Sequence, residues 1–412
     1  MNIIIAPDSF KGSLTAPEAA LAIERGVRRA RPDATCWLVP VGDGGEGTAA
    51  CLAAATGGRL ARATVSGPLG EPVEAAYAVL GGAAARSLAA GDRAAGSGAR
   101  GGADAARPDT DDDSVCVIEM AEASGLGLVP LARRNPLLTT TFGTGQLIRA
   151  ALDRGCRRFV LALGGSATCD GGAGMLQALG MRLLDNAGRP IGYGGAELAR
   201  IVTLDDTGWD TRIAECEWLI ATDVSHPLIG DQGAARVFGP QKGASPQAVE
   251  ALEAALRHWA DRIAAHNGVR LHERPGAGAA GGLGGAFQAF FPARQRRGID
   301  VVIELTGLER RLADATLVIT GEGRIDAQTA AGKAPLGVAQ AAKRHGVPVI
   351  ALAGSIGSGI AGLHETGIAS VHSIVQTPMS LEAAMRDAAL LLEQAAEQAL
   401  RAFLAGWSQR QS

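Results

Sequence analysis

The chain contains no C-x-x-C pair: its six cysteines, Cys36, Cys51, Cys116, Cys156, Cys169 and Cys216, are scattered singly. That excludes a zinc knuckle and a thioredoxin-like redox pair, and cysteines in apolar runs read as buried thiols. The seven histidines form no His-Glu-x-x-His or other metal spacing. No apolar run reaches the ~18 residues of a membrane span. Met1 leads straight into Asn2-Ile3-Ile4-Ile5-Ala6 with no basic segment, so no signal peptide is expected and the cytoplasm is the expected compartment. Positive charge is not in excess: 39 Lys and Arg against 42 Asp and Glu give a net charge of −3. Neither nucleic acid nor an anionic membrane is favoured as a partner. The Gly-x-x-x-x-Gly-Lys-Ser/Thr phosphate loop is missing, because Gly332-Lys333 is followed by Ala334, and so is the Gly-x-Ser-x-Gly hydrolase elbow.

Glycine, by contrast, is abundant, with 57 residues and no collagen period, in a chain that is 47% hydrophobic and 20% charged. This composition describes a packed globular protein with many tight turns and close backbone approaches. A length of 412 residues points to two domains. The first sixty residues read strand–helix–strand–helix. Ile3 to Ala6 is a continuous apolar run ending in Pro7-Asp8, and Thr15-x-x-Glu18 is a capping box. Trp37 to Val41 is a second strand, followed by Gly42-Asp43-Gly44-Gly45-Glu46-Gly47 and an Ala-rich helix. Val73, Ala75, Tyr77 and Val79 then alternate as in an antiparallel strand, with Val115 to Met120 as its expected partner. Between them, residues 81–114 hold Ala, Gly, Arg and Asp without an aromatic, and are expected to be a disordered insertion. Short apolar strands at Phe159, Trp218, Thr316, Pro348 and Val371 alternate with helices, the last helix spanning about Leu381 to Leu404. The economical architecture is α/β: an outer doubly wound domain (1–58 and 290–412) interrupted by a large inserted mixed α/β domain (59–289). Ligands of such sheets bind at the carboxyl ends of strands, where Asp8, Asp43, Asp223 and Glu322 all fall.

Several motifs carry chemistry. Gly42 to Gly47 has dinucleotide-fingerprint spacing, but Asp43 and Glu46 would repel a pyrophosphate and suit Mg²⁺ or a polyhydroxy substrate. Gly164-Gly165-Ser166-Ala167-Thr168-Cys169-Asp170-Gly171-Gly172-Ala173-Gly174 follows a buried strand and opens a helix, the arrangement in which backbone N–H groups hold anions. Its competing explanation is a tight structural turn with Asp170 as N-cap. Asp8-Ser9-Phe10-Lys11-Gly12-Ser13 concentrates a carboxylate, an ammonium and two hydroxyls, and Gly239-Pro240-Gln241-Lys242-Gly243 presents a cation on a turn. Gly321-Glu322-Gly323-Arg324-Ile325-Asp326 again combines both signs of charge. Cations and N–H groups for moving oxygens, carboxylates for Mg²⁺ and a carboxylate for an alcohol proton are the parts of phosphoryl transfer.

These same segments, with Pro275 to Gly282 and Val318-Ile319-Thr320 leading into Gly321, resemble the bacterial glycerate kinases of the first type, from Met1 to about Leu404. The resemblance implies ATP, Mg²⁺ and D-glycerate, with 2-phosphoglycerate or, in some members, 3-phosphoglycerate as product. It also implies a flavodoxin-like domain carrying a large second domain, the site in the cleft between them, and a place in glycolate, glyoxylate and sugar-acid breakdown. The 81–114 insertion departs from the family's short connection. In this reading Asp8 or Asp223 is the base, and Lys11 and Arg324 hold the substrate carboxylate or the moving phosphoryl group. Asp43, Glu46 and Glu322 serve Mg²⁺ (Asp43, Glu322) or substrate hydroxyls, with Ser13 and Lys242 also at the substrate. Gly164, Gly165, Ser166, Thr168, Asp170, Gly171 and Gly172 cradle nucleotide phosphates. The rivals are an NAD(P)-dependent hydroxyacid oxidoreductase, resting on Gly42 to Gly47, and a non-catalytic organic-acid sensor. Homo-oligomerisation is left open.

Overall fold

A computed structural model of the chain describes residues 1–81, 114–326, 329 and 333–408. Its strands in chain order are β1 (Asn2–Pro7), β2 (Thr35–Leu38), β3 (Arg59–Ser66), β4 (Pro72–Leu80), β5 (Val115–Glu119), β6 (Arg158–Ala162), β7 (Arg182–Leu184), β8 (Thr203–Asp205), β9 (Glu217–Ala221), β10 (Ala293–Arg296), β11 (Leu317–Ile325), β12 (Val349–Ile356) and β13 (Ile368–Ser373). Five form one parallel sheet in the order β13-β12-β11-β1-β2. Numbered along the chain within that sheet, the order is 2-1-3-4-5, a doubly wound arrangement that reverses between β1 and β11.

The run Ile3-Ile4-Ile5-Ala6 leaves no polar face, and the sheet covers both. Alternate residues of a strand point to opposite sides. Ile3 and Ile5 pack with Ile23 and Val27 of helix Ala16–Ala30 and with Leu392 and Ala396 of helix Ala388–Ser408. Ile4 and Ala6 join Val302 of helix Gly298–Thr306 and Leu336 and Val338 of helix Ala334–Arg344. All four strand residues are fully buried, each isoleucine contributing about 1.5–3 kcal/mol over its exposed state. The capping box is formed: Thr15 N–H donates to Glu18 Oε2 at 2.8 Å, and Glu18 N–H to Thr15 Oγ1 at 3.4 Å.

The second sheet is six-stranded and mixed, in the order β10-β9-β6-β5-β4-β3, with β10, β9, β6 and β5 parallel and the β4 and β3 pairings antiparallel. Val115, Val117 and Val160 turn toward the first sheet, sharing one core with Ile4, Leu52 and Val302. Cys116, Ile118, Phe159 and Leu161 turn away, onto Leu147, Leu256 and Trp259 of helices Phe142–Asp153 and Pro246–Asn267. No helix among the described residues is long and apolar enough to cross a membrane.

The structure departs from expectation in several places, among them the short strands β7, β8 and β10, which the sequence does not signal, and β2, which ends at Leu38 rather than Val41. β3 was not anticipated: its outward residues include Arg59 and Arg62, and only Ala61 and Val65 are buried, so its periodicity is weak. β4 consequently pairs along its full length with β3 and touches β5 only through Ala78, Val79 and Leu80. The last helix is two, Leu381–Arg386 and Ala388–Ser408, separated at Asp387. Cys116 and Cys156, read as thiols, are joined by a disulfide. The insertion expected over 81–114 lies, but for its two end residues, outside the described residues.

Leu80 and Val115, on either side of that segment, are register partners. A two-residue Asn-Gly turn in place of 82–113 therefore closes a hairpin that already exists, and loop length itself costs only ~0.6 kcal/mol per doubling. Thermal melting and turnover of the shortened protein are expected to match the full chain. A fall of many degrees would show that the segment packs on the fold.

Candidate active site

The site starts from the register of β1 and β11. Pro7 pairs with Gly321, and Asp8 N–H donates to Gly321 O at 2.8 Å, so Asp8, just past the end of β1, lies beside Glu322 within β11. This is the point where strand order reverses, which opens a crevice in doubly wound sheets. After Asp8 the chain makes a tight turn: Phe10 N–H donates to Leu14 O at 2.9 Å and Leu14 N–H returns to Phe10 O at 3.0 Å. Buried Phe10 anchors the turn and leaves Lys11 at the surface. A cavity of about 300 Å³ opens there, lined by Asp8, Lys11, Ser13, Asp43, Glu322, Arg324 and Lys333, together with apolar residues.

The carboxylates destabilise one another's charge. Asp8 is pushed from its ordinary 3.8 up to about 7, by loss of hydration and then by the Asp43 and Glu322 carboxylates, against a 2.6 Å hydrogen bond from Ser9 N–H. Glu322 is raised for the same first reason, although Thr329 Oγ1 donates to it at 2.6 Å and the Lys333 ammonium lies 3.4 Å away. Asp43 is held by its own loop, Gly45 N–H donating to its Oδ1 at 2.9 Å. Arg324 is ion-paired to Asp326 at 2.8 Å. Asp223 lies outside the cavity wall. Desolvation and the Asp43 carboxylate push it to about 6, opposed by a hydrogen bond from Gly298 N–H at the start of helix Gly298–Thr306.

The Asp43 loop, 42–47, is wedged between main-chain segments. Gly164 N–H donates to Gly44 O at 3.3 Å, and a Cβ on Gly164 would lie 2.6 Å from Gly45 Cα. A Cβ on Gly298 would lie 2.0 Å from Asp43 O. Only glycine permits either approach. From below, buried Glu119 at the end of β5 accepts from Gly47 N–H (2.9 Å) and Ala49 N–H (2.6 Å), with desolvation raising it to about 7.

The predicted residues therefore divide. Asp8, Lys11, Ser13, Asp43, Glu322 and Arg324 share the cavity. Glu46 is exposed outside its wall. The loop 164–174 meets the cavity only through the Asp43 loop, so the cavity belongs to the first sheet's edge rather than to a cleft lined by both parts. Two expectations change. Asp170, expected at nucleotide phosphates, is fully buried and accepts from Thr141 N–H (2.7 Å), Thr141 Oγ1 (2.8 Å), Gly172 N–H (3.2 Å) and Gly174 N–H (3.3 Å). It closes a tight turn, as its competing explanation had it, although the N-cap of the following helix is Gly172 rather than Asp170. Lys242, expected at the substrate, is 2% exposed, and its ammonium donates to Ser166 Oγ (2.8 Å) and Thr168 O (2.7 Å), holding the loop from inside. Burial lowers its pKa. Residues missed were Lys333, set aside because no hydroxyl follows it, and Glu119, whose only signal was a carboxylate ending an apolar strand.

Clustered carboxylates and cations at the carboxyl edge of a doubly wound sheet, next to a glycine loop that opens a helix, define an α/β enzyme that handles small anionic molecules. The comparisons carry this further. Residues 3–404 match the model of the Glycerate kinase family. A Glycerate kinase of Bacillus subtilis (strain 168) is 48% identical over 396 residues, 96% of each chain. The Glycerate 2-kinase of Escherichia coli (strain K12) is 45% identical over 388 residues, 94% of each. A crystal structure from Salmonella typhimurium LT2 has a TM-score of 0.82 at 44% identity, covering 99% of both chains. The chain belongs to the glycerate kinase family, and is thus a kinase.

A raised carboxyl pKa sets a pH dependence of stability. Folded Asp8 holds its proton more tightly than in the unfolded chain, so its unfavourable contribution is complete above about pH 7 and vanishes as pH falls below 3.8. Without ligands, Asp8→Asn is expected to melt higher than wild type at pH 8, by on the order of 1–3 kcal/mol, with the gap closing toward pH 4. Its turnover falls by ~10²–10⁴ if Asp8 is the base. A melting difference independent of pH would refute the electrostatic origin.

Proposed function

We propose that the protein transfers the γ-phosphoryl group of ATP to D-glycerate, forming 2-phosphoglycerate in a Mg²⁺-dependent reaction. The observation that carries this reading is the placing of Asp8, raised to about 7, in one cavity with Lys11, Lys333 and Arg324. A carboxylate titrating near neutrality both takes a proton from an alcohol and is available unprotonated to do so. Asp8 therefore accepts the hydroxyl proton as the oxygen attacks phosphorus. Lys11 and Lys333 hold the negative oxygens of the acceptor carboxylate and the phosphoryl group, with Ser13 as a neutral donor beside them. Asp223, across the Asp43 loop, is the second candidate for the base. Backbone N–H groups of Gly165 and Ser166, in the loop held by Lys242, serve phosphate oxygens. The 2-product is supported by the name of the Escherichia coli relative, glycerate 2-kinase.

The donor set fits Mg²⁺. No group of three His, Cys, Asp or Glu among the described residues is arranged to hold a metal, whereas Mg²⁺ beside phosphates is held by only one or two carboxylates. Asp43 and Glu322, which raise the pKa of Asp8, are those two. When bound, the ion neutralises phosphate charge. We assign 1–58 and 290–412 to a flavodoxin-like domain with 59–289 inserted. Sheet membership supports this division, apart from β10, whose pairing with β9 moves the second boundary past Arg296.

The decisive measurement is NMR of the product formed from D-glycerate, ATP and Mg²⁺: phosphorus on the C2 oxygen is expected, and phosphorus on the C3 oxygen would overturn the regiochemistry. Lys11→Met removes a charged hydrogen bond, worth roughly 1.5–3 kcal/mol, and is expected to lower kcat/KM about 10- to 100-fold. The fall lies in kcat if the ammonium follows the transferring group, and in KM for glycerate if it only anchors the carboxylate. Wild-type constants would remove Lys11 from the mechanism.

A further inference from the structure

The cavity is lined by apolar as well as charged residues, the apolar ones being Phe10, Ile374, Val375, Leu381, Ala384 and Met385. Ile374 and Val375 follow β13 at the sheet's carboxyl edge, and Leu381, Ala384 and Met385 share the short helix Leu381–Arg386. Helix and phosphate-side turn are fastened together, since Ser13 Oγ donates to Met385 O at 2.6 Å. Yet the helix leaves Leu381 76% exposed and Met385 37% exposed. Apolar side chains left in water beside a charged pocket favour a ligand that covers them.

Glycerate is not that ligand, because each of its three carbons carries oxygen and it has no apolar face. A nucleotide has one: its aromatic base is flat, apolar on both faces, and joined to a string of phosphates that needs cations. Methionine sulfur adds favourable contact with an aromatic ring. We infer that the wall formed by Phe10, Ile374, Val375, Leu381 and Met385 is the binding site for the purine base of the nucleotide, with the phosphates running from it over Lys11 and Lys333 toward Asp43. This rests on the kinase reading above and adds the location and orientation of its nucleotide. It also orders the two substrates: the base lies against the C-terminal helix pair, and the acceptor lies beyond the phosphates, on the side of Asp43 and the loop 164–174.

Ala384→Phe fills the apolar part of the cavity without replacing a charged group. KM for ATP is expected to rise at least tenfold, while competitive inhibition by inorganic tripolyphosphate, which has no base, and KM for glycerate stay within twofold. An active Ala384→Phe enzyme with unchanged KM for ATP overturns the base site and leaves the kinase reading intact. Absence of ATP-dependent turnover of glycerate in the wild type overturns the kinase reading itself. Because a larger side chain on a packed helix can prevent folding, photolabelling of the wild-type protein with 8-azido-ATP gives a second, independent answer. Label on peptides covering Phe10 or 374–388, protected by ATP and not by tripolyphosphate, supports the assignment. Label on 164–174 or 226–243 overturns it.

Discussion

The parallel pairing of β1 with β11 is the constraint on which the remainder of the molecule depends. It joins the start of the chain to a segment more than three hundred residues later, and Thr320 Oγ1 reinforces it by donating to Ala6 O at 2.7 Å across a separation of 314 residues. Both strands are apolar on both faces, so neither can be stable until helices from each end of the chain cover them. Once they pair, the end of β1 is fixed opposite Gly321, and Asp8 comes to lie beside Glu322 of β11, where burial leaves little water to hydrate either carboxylate. The raised pKa of Asp8 comes first from its burial, then from the Asp43 carboxylate, with Glu322 across the strand pair adding to it.

The two sheets are then tied by backbone. Between them lie Leu52 and Val302 in a common apolar core. At the carboxyl edge the space narrows until main chain meets main chain, at Gly44 against Gly164 and at Asp43 against Gly298. Asp43 is positioned by this wedge. Its side chain reaches the cavity because its carbonyl oxygen has nowhere else to go, and Glu119 fixes the start of the following helix by taking two of its N–H groups. Lys242 does the same for the loop 164–174, donating to two protein oxygens, Ser166 Oγ and Thr168 O, from inside. Both are charged or chargeable groups kept inside the protein, and each is tolerated because it satisfies backbone or hydroxyl groups that would otherwise be buried without partners.

Much of this was legible in the residues. The apolar run before Pro7-Asp8 and the Thr15-x-x-Glu18 capping box rest on local rules of periodicity and capping, and both took the expected form, whereas Glu322, expected at a strand end, lies within β11, and Asp43 lies five residues past the end of β2. Asp8, Lys11, Ser13, Asp43, Glu322 and Arg324 were singled out for their place at strand ends, and they line one cavity. What failed to read was whatever depends on the other side of a contact. β3 has too little buried surface to show a pattern. Lys242 and Lys11 are both lysines beside a glycine in a turn, yet one is buried and the other exposed. Asp170 looks available in the sequence because Thr141, which occupies its carboxylate, is far away in the chain.

The sequence by itself determined the types of the strongly patterned elements, the α/β class, the family resemblance and the chemical kinds of group at the strand ends, because each is a property of neighbouring residues. The tertiary structure decided which of those groups share a cavity, which are consumed in holding loops, and that the cavity has an apolar part to its lining. These are properties of the packing between β1, β11, the Asp43 loop and the C-terminal helices. Helix Leu381–Arg386 reaches Ser13 only after the whole parallel sheet has closed, and no spacing within the chain encodes that distance.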